Sequence, residues 1–464
     1  MRPAGQISVL VLVLIAIGLI GLDIAALGLH VRGQLGIGSD ERLHLFVGLM
    51  MLEMALYGGA VAIVLRIALP PRTLFIILVA AVLMRGLLLL SPPFLSTDLY
   101  RYVWDGMVQN EGINPYRFRP DAPALRFLRE PTIYPGINRK STARTIYLPF
   151  AEAVYALTAR ISPTLIGMKA AMTLFDLAGI VALLLLLRKA RLPATRILIY
   201  AWQPLPIWEF AGNGHVDAIV VGSVAWALLF ATAARPALSA ASFAASVLAK
   251  LLPAVLMPAL WRPRGWRFPA VALAIVAAFY ASYASAGWQV LGFLPGYVRQ
   301  EGIASGHGIF TLEILERLVR LPPAAGRVYL AIAAITLTVL GLVIWRRELP
   351  LSEGERAREI AASALVLAVA LMLVLTPHYP WYFAWLLVPL CIVPSPSALY
   401  LAAASFLLYL DPIRTHPLWP ALIYGPFVTL AAIELFWRWR HREARPHVSP
   451  AWPLRESRGD PPVS

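Results

Sequence analysis

Cysteine is almost missing from this chain. Cys391 is the only one, it lies inside an apolar run, and no disulfide can form within the molecule. Charge is scarce too: 14% of the 464 residues are charged against 59% hydrophobic, and the mean hydropathy is +0.70. Those values exclude an ordinary soluble domain and describe a polytopic membrane protein. Lysine is rare among the cations, with four among forty basic residues. No internal repeat is visible, which argues against a carrier built from two matching halves. No glycine-rich phosphate loop follows a strand pattern, so no nucleotide site is expected.

What the chain does have is long apolar runs. They lie near 7–29, 43–65, 73–91, 163–187, 194–211, 215–233, 237–249, 251–261, 268–286, 326–345, 360–376, 382–394, 397–410 and 419–437. Several fall short of the roughly 20 residues that a full span needs. The pairs 237–249/251–261 and 382–394/397–410 read as spans or as hairpins entering from one side. The expected fold is therefore all-α, with 12 to 14 transmembrane segments in one integral-membrane domain, residues 1–440. A tail, 441–464, rich in proline and charge, is expected to be disordered.

Short-loop arginines set the orientation. Arg2, Arg66, Arg72, Arg188, Arg191, Arg196, Arg235, Arg262, Arg346, Arg358 and the tail arginines fall on one side, with Lys189. That side is read as the cytoplasm of a bacterial inner membrane, with both termini in it. Residues 92–162 then form a large outward, periplasmic loop. Much of the net charge of +15 lies in this loop bias and the tail, where contact with anionic membrane lipids is expected, and it needs no nucleic acid.

That outward loop opens with STDLYRYVWDGMVQNEGINPY, residues 96–116. Ser96 or Thr97 can cap a helix beginning at Asp98, which places Asp98, Arg101, Tyr102 and Asp105 on one face. A carboxylate partly desolvated beside a cation at a membrane edge can serve as a general base. The bland alternative is a solvated helix with an Asp98–Arg101 or Arg101–Asp105 pair. The loop also carries Arg117, Arg119, Arg126, Arg129, Arg139, Lys140 and Arg144, a basic surface whose arginines suit forked phosphate contacts. Residues 146–161 read as an amphipathic surface helix.

Other polar clusters fall on the same outer side: Glu209 to Asp217 with His215, Lys250 between two apolar runs, Tyr297 to His307, His378 to Tyr382, and Asp411 to His416. A metal is not expected, because His215 and Asp217 stand two apart on a turn without further ligands in a recognisable pattern. Lys250 reads as a phosphate contact or as a snorkelling lysine at a helix break. Trp381 reads as an interfacial belt residue.

The motifs DLYRYVWDG, GINPYRF, TIYLP, GNGHVDA, KLLP and PHYPWY, spread over residues 90–385, resemble integral-membrane glycosyltransferases of the GT-C superfamily. The likeness is to bacterial mannosyltransferases of the GT87/DUF2029 type and their alpha-1,6-mannopyranosyltransferase relatives. The resemblance implies a sugar, mannose by preference, taken from a polyprenyl-phosphate donor at the outer face. It implies a lipid-glycan or other hydroxyl acceptor, inversion at the sugar carbon and no cofactor. The loop acid of that family matches Asp98. Candidates for donor-phosphate or substrate contacts are Arg101, Asp105, Asn114, Tyr116, Arg117, Lys140, His215, Asp217, Lys250, His307, His378, Tyr379 and Tyr382. The rivals are a transporter or flippase of lipid-linked sugars, and a glycan polymerase or ligase acting on lipid diphosphates.

Overall fold

The computed structural model describes residues 3–31, 40–93, 95–262, 265–294, 296, 299, 302, 309–322, 324–411 and 418–443. Among these residues no strand occurs, and the chain is an all-α polytopic membrane protein. Three helices open it, α1 (Pro3–Val31), α2 (Asp40–Arg66) and α3 (Arg72–Leu89). The 92–162 loop supplies α4 (Asp98–Asn110) and α5 (Pro149–Ile161). Then come α6 (Leu165–Lys189), α7 (Asp217–Thr232), α8 (Pro236–Ala249) and α9 (Arg267–Ser282). The last third holds α10 (Phe310–Leu318), α11 (Ala325–Arg346), α12 (Glu353–Leu375), a helical stretch Pro380–Leu390, another at Pro396–Leu410, and α13 (Leu418–Glu443).

Seven of the described helices are long and apolar enough to cross a membrane: those containing Gln6–Leu29, Glu41–Arg66, Arg72–Leu89, Leu165–Lys189, Ala325–Arg346, Glu353–Leu375 and Leu418–Arg440. The run 268–286 is bent, with 109° between α9 and the turn Ala284–Leu291. The run 194–211 is not one helix. Pro204 and Pro206 lack the N–H that a continuous ladder needs, so short pieces follow one another and end in a π-helical turn, Ile207–Gly212. The tail beyond Glu443, His307, Arg414 and His416 lie outside the described residues.

One hydrophobic core runs through the molecule, from Leu12 of α1 to Phe427 of α13. Small residues let its helices approach. Gly179 of α6 sits against Gly222 of α7, and a Cβ on Gly222 would strike the Phe175 carbonyl. Gly106 of α4 lies against the Tyr155 backbone of α5 in the same way. One cation buried within the spans has its counter-charge beside it, as a hydrocarbon layer favours. Arg85 of α3 bonds Asp176 of α6 at 2.5 Å and the Ala201 carbonyl at 2.8 Å, and Tyr200 donates to the same carboxylate.

The basic helix ends converge at one end of the bundle. Lys189 bonds Glu353 at 2.8 Å, Arg356 donates to the Thr232 carbonyl at 2.7 Å, and Arg262 donates to Ser363 at 3.0 Å. The starts of α4 and α7 and the ends of α8 and α12 therefore meet at the opposite end, where the cavity described below opens. Overpacking the α6–α7 crossing tests this framework. Gly222→Val should lower stability by about 1–3 kcal/mol, read as a drop in melting temperature in detergent, whereas Gly58→Ala, which meets nothing within 4 Å, should leave it unchanged.

Candidate active site

The segment between α3 and α4 is held from below. Lys169 of α6 donates to the Leu88 and Ser91 carbonyls at 2.7 and 2.5 Å, satisfying the frayed end of α3. The Leu95 N–H donates to Asn213 at 3.1 Å, Asn213 donates to Glu209 at 3.1 Å, and Tyr409 donates to the other Glu209 oxygen at 2.7 Å. Gly214, at φ +71°, completes this packing, because a side chain there would strike Leu99 and crowd Lys169. The expected cap is present in modified form. Thr97 precedes the helix without a side-chain bond, and Ser96 Oγ accepts from the Asp98 N–H at 3.2 Å.

Asp98 thus begins α4 on the wall of a cavity of about 490 Å³. Its Oδ1 accepts from the Asn138 amide at 2.6 Å. Burial pushes its carboxyl above the usual aspartate range, opposed by the Asn138 amide and by the charges of Arg139, Lys250 and Arg101. The same cavity is lined by Tyr102, Arg139, Tyr147, Asp217, Lys250, His378, Tyr379, Trp381 and Tyr382, with Leu148, Leu251, Leu252, Leu294 and Leu375 as apolar wall. Segments more than 280 residues apart in sequence therefore share one site.

Lys250 is not a bare ammonium. Nζ lies 2.8 and 2.9 Å from the two Asp217 oxygens and 3.5 Å from the centre of the Tyr382 ring. The residue ends α8 in an extended conformation, which turns its side chain back toward the first turn of α7. His215 does not line the cavity. It is 1% exposed, 3.4 Å from Glu209, and stacked on Trp381 at 3.9 Å.

The other sequence candidates occupy supporting positions. Arg101 and Asp105 form a buried pair at 2.8 and 2.9 Å, and Arg101 also reaches the Ala143 carbonyl at 3.2 Å. Glu152 of α5 lies beside them, bonded by Thr145 at 2.6 Å and Gln109 at 2.8 Å. Burial first, then the neighbouring Asp105 charge, pushes the Glu152 carboxyl well up. This pair is therefore an internal clamp between α4 and α5, not a solvated face. Asn114 donates to the Tyr283 carbonyl and Ser285, Arg117 to the Ser285 carbonyl, and Tyr116 to the Tyr147 carbonyl. Asn114 and Arg117 tie the 92–162 loop to the end of α9 and the turn after it, while the Tyr116 hydrogen bond stays within the loop and its ring packs on Tyr283. Lys140 lies over Tyr134 at 5.3 Å.

Asn138 and Tyr147 line the cavity without having been singled out, and Arg139, Tyr102 and Trp381, read from sequence as a loop cation, a residue of the Asp98 helix face and a belt residue, line it too. Arg139 carries one available signal, a basic residue in the acid-bearing loop, while Asn138 carries none. Among the described residues no group of three His, Cys, Asp or Glu side chains is arranged to hold a metal ion.

The Lys250–Asp217 pair yields a direct test. Removing either partner leaves a charge in a largely apolar cavity, so Lys250→Met and Asp217→Leu should each destabilise, and the double variant should lose less than their sum. A coupling of about 0.5–3 kcal/mol is expected from a thermal-stability cycle. Strict additivity would mean that the pair is not formed.

No curated protein and no solved structure matches this chain. A family model does, over residues 9–262, more than half of the sequence, and it carries the description alpha-(1->6)-mannopyranosyltransferase, N-terminal domain. The match takes in Asp98, Asn138, Arg139, Asp217 and Lys250 and leaves out His378 to Tyr382. A helical membrane domain with two carboxylates, two cations and a cluster of aromatic rings around one cavity thus belongs to the alpha-(1->6)-mannopyranosyltransferase family, and the protein is a multi-pass membrane glycosyltransferase.

Proposed function

We propose that the chain moves a mannosyl unit from a polyprenyl-phosphate donor to a hydroxyl of a lipid-glycan or similar acceptor, at the periplasmic face of the inner membrane, with inversion. The observation that carries this reading is Asp98. It is a carboxylate with burial pushing its proton affinity up, an amide on one oxygen, and cations across the same cavity. A base whose pKa approaches the operating pH is the more effective one.

The step balances without a cofactor. The acceptor oxygen attacks the anomeric carbon and gives its proton to Asp98. The bond from that carbon to the phosphate oxygen breaks, and its electron pair leaves with the polyprenyl phosphate. Lys250 and Arg139 oppose the charge that grows on the leaving phosphate. The leucine wall suits the first carbons of a prenyl chain. No metal is assigned a role in this scheme.

Asp98→Asn keeps the shape and removes the proton acceptor. It should cut transfer by about 10²–10⁴-fold with melting temperature and donor binding retained; near-normal turnover would remove Asp98 from the mechanism. Asp105→Asn should instead lower the yield of folded protein, because it strips Arg101 of its counter-charge. The pH profile carries the sign of the Asp98 shift. The base must be ionised, its proton affinity is raised, and so activity should fall off on the acid side at a higher pH than for an exposed aspartate. Replacing Asn138 by leucine removes a bond that favours the ionised form, so this limb should move higher still.

Sidedness has its own measurement. A reporter fused after Arg119 should be active only in the periplasm and one after Arg440 only in the cytoplasm. The opposite pattern would place the cavity on the wrong side for an outer-leaflet donor.

A further inference from the structure

Two groups of aromatic rings wall the cavity. In one, Trp381 stacks on His215 at 3.9 Å and on Tyr379 at 4.6 Å. In the other, Tyr102 stacks on Tyr155 at 4.6 Å, and Tyr147 packs edge-on against both, at 4.8 and 5.5 Å. Tyr102 and Tyr147 line the cavity, and Tyr155 does not. Tyr102 follows Asp98 by one turn of α4, so the period that puts the carboxylate on the wall puts this phenol beside it. Its ring is fixed by these contacts and it is 1% exposed. A phenol has one proton to give and an oxygen that can receive two. The Tyr102 oxygen accepts from the Val216 N–H, at the start of α7, in a long bond of 3.5 Å. The Tyr147 hydroxyl donates to the same oxygen. The Tyr102 proton then has to be given elsewhere, and among the described residues no acceptor takes it. Asp98 and Asp217 act on this hydroxyl only through space. Burial first, then those two charges, hold the Tyr102 phenol well above the ordinary tyrosine range, so it stays protonated and is a donor throughout the working pH range.

We propose that the Tyr102 hydroxyl donates to a phosphate oxygen of the lipid-phosphate substrate. An anionic oxygen suits it better than a sugar hydroxyl. Two donors on the Tyr102 oxygen polarise its own O–H, and a bond to an ion gains most from that. The hydroxyl also lies at the N-terminus of α7, the positive end of that helix dipole. The nearby Lys250 ammonium is held by both oxygens of Asp217, so its charge is largely compensated. A phosphate in this cavity therefore needs donors beyond that pair. A neutral phenol supplies one without adding a charge, and its ring is already in place, which limits the ordering cost of binding. The inference rests on the proposed polyprenyl-phosphate donor and gives that site a contact that tells a phosphate from the corresponding alcohol.

The test uses the full-length protein in nanodiscs, with radiolabelled farnesyl phosphate and farnesol as probes and empty nanodiscs as the blank. The wild type should bind the phosphate more tightly than the alcohol. Tyr102→Phe keeps the ring contacts and removes only the hydroxyl. It should raise the Kd of farnesyl phosphate by about ten- to hundredfold, the worth of one hydrogen bond to a charged group, and leave farnesol binding and the melting temperature unchanged. Tyr155→Phe is the control, because the buried Tyr155 hydroxyl has no hydrogen-bond partner among the described residues; it should bind both probes as the wild type does. An unchanged phosphate affinity in Tyr102→Phe, or an equal loss for farnesol, would overturn the contact. A Tyr102→Phe protein that does not fold would overturn it too, since the hydroxyl would then serve the fold. A wild type that binds farnesyl phosphate no better than farnesol would instead remove the lipid-phosphate reading itself, so the two failures are told apart.

Discussion

A carboxylate can stand in a leucine-walled cavity at the edge of a hydrocarbon layer only if something holds its charge, and much of this structure answers that constraint. Asp98 has the Asn138 amide at 2.6 Å, and Asp217 has the Lys250 ammonium at 2.8 and 2.9 Å. The two carboxylates are treated differently. Asp217 gives both oxygens to one ammonium, whereas Asp98 has one oxygen on a neutral amide. A neutral donor orients a carboxylate without cancelling its charge. That contrast is the physical reason for assigning the base role to Asp98 and a structural one to its neighbour.

The same logic continues beneath the cavity. Lys169 closes the end of α3, and Glu209 and Asn213 hold the strand of chain leading to Asp98. Tyr409 joins this network from the last third of the protein. The position of Asp98 is therefore set by residues on separate segments of the chain. Tyr409, which does not line the cavity, reaches the segment before Asp98 through Glu209, Asn213 and the Leu95 N–H.

Much of the fold and part of the site were legible in the sequence. Hydropathy located the helical runs, and the asymmetry of arginines separated the two ends that the structure brings together as a polar clasp and a cavity. The acidic loop, GNGHVDA, KLLP and PHYPWY each contribute to the cavity or stand directly behind it. Spacing could not reveal what covers a helix face. Arg101 and Asp105 lie on the same helical face as Asp98 by period, yet α5 closes over them because Gly106 admits the Tyr155 backbone. Trp381 reads as a belt residue from its neighbours alone, and only the stack with His215 and Tyr379 shows its role. Asn138 carried no signal, since a lone asparagine in a polar loop is ordinary until its partner is known.

The central claim is that this cavity performs a single inverting displacement driven by the Asp98 carboxylate. The most direct measurement is the anomeric configuration of the product made by the purified protein from a polyprenyl-phosphate mannose of defined configuration, read from the one-bond carbon–proton coupling at the new linkage. A linkage of inverted configuration, lost in Asp98→Asn, is the predicted result. A retained configuration would rule out a single in-line displacement and would contradict the account.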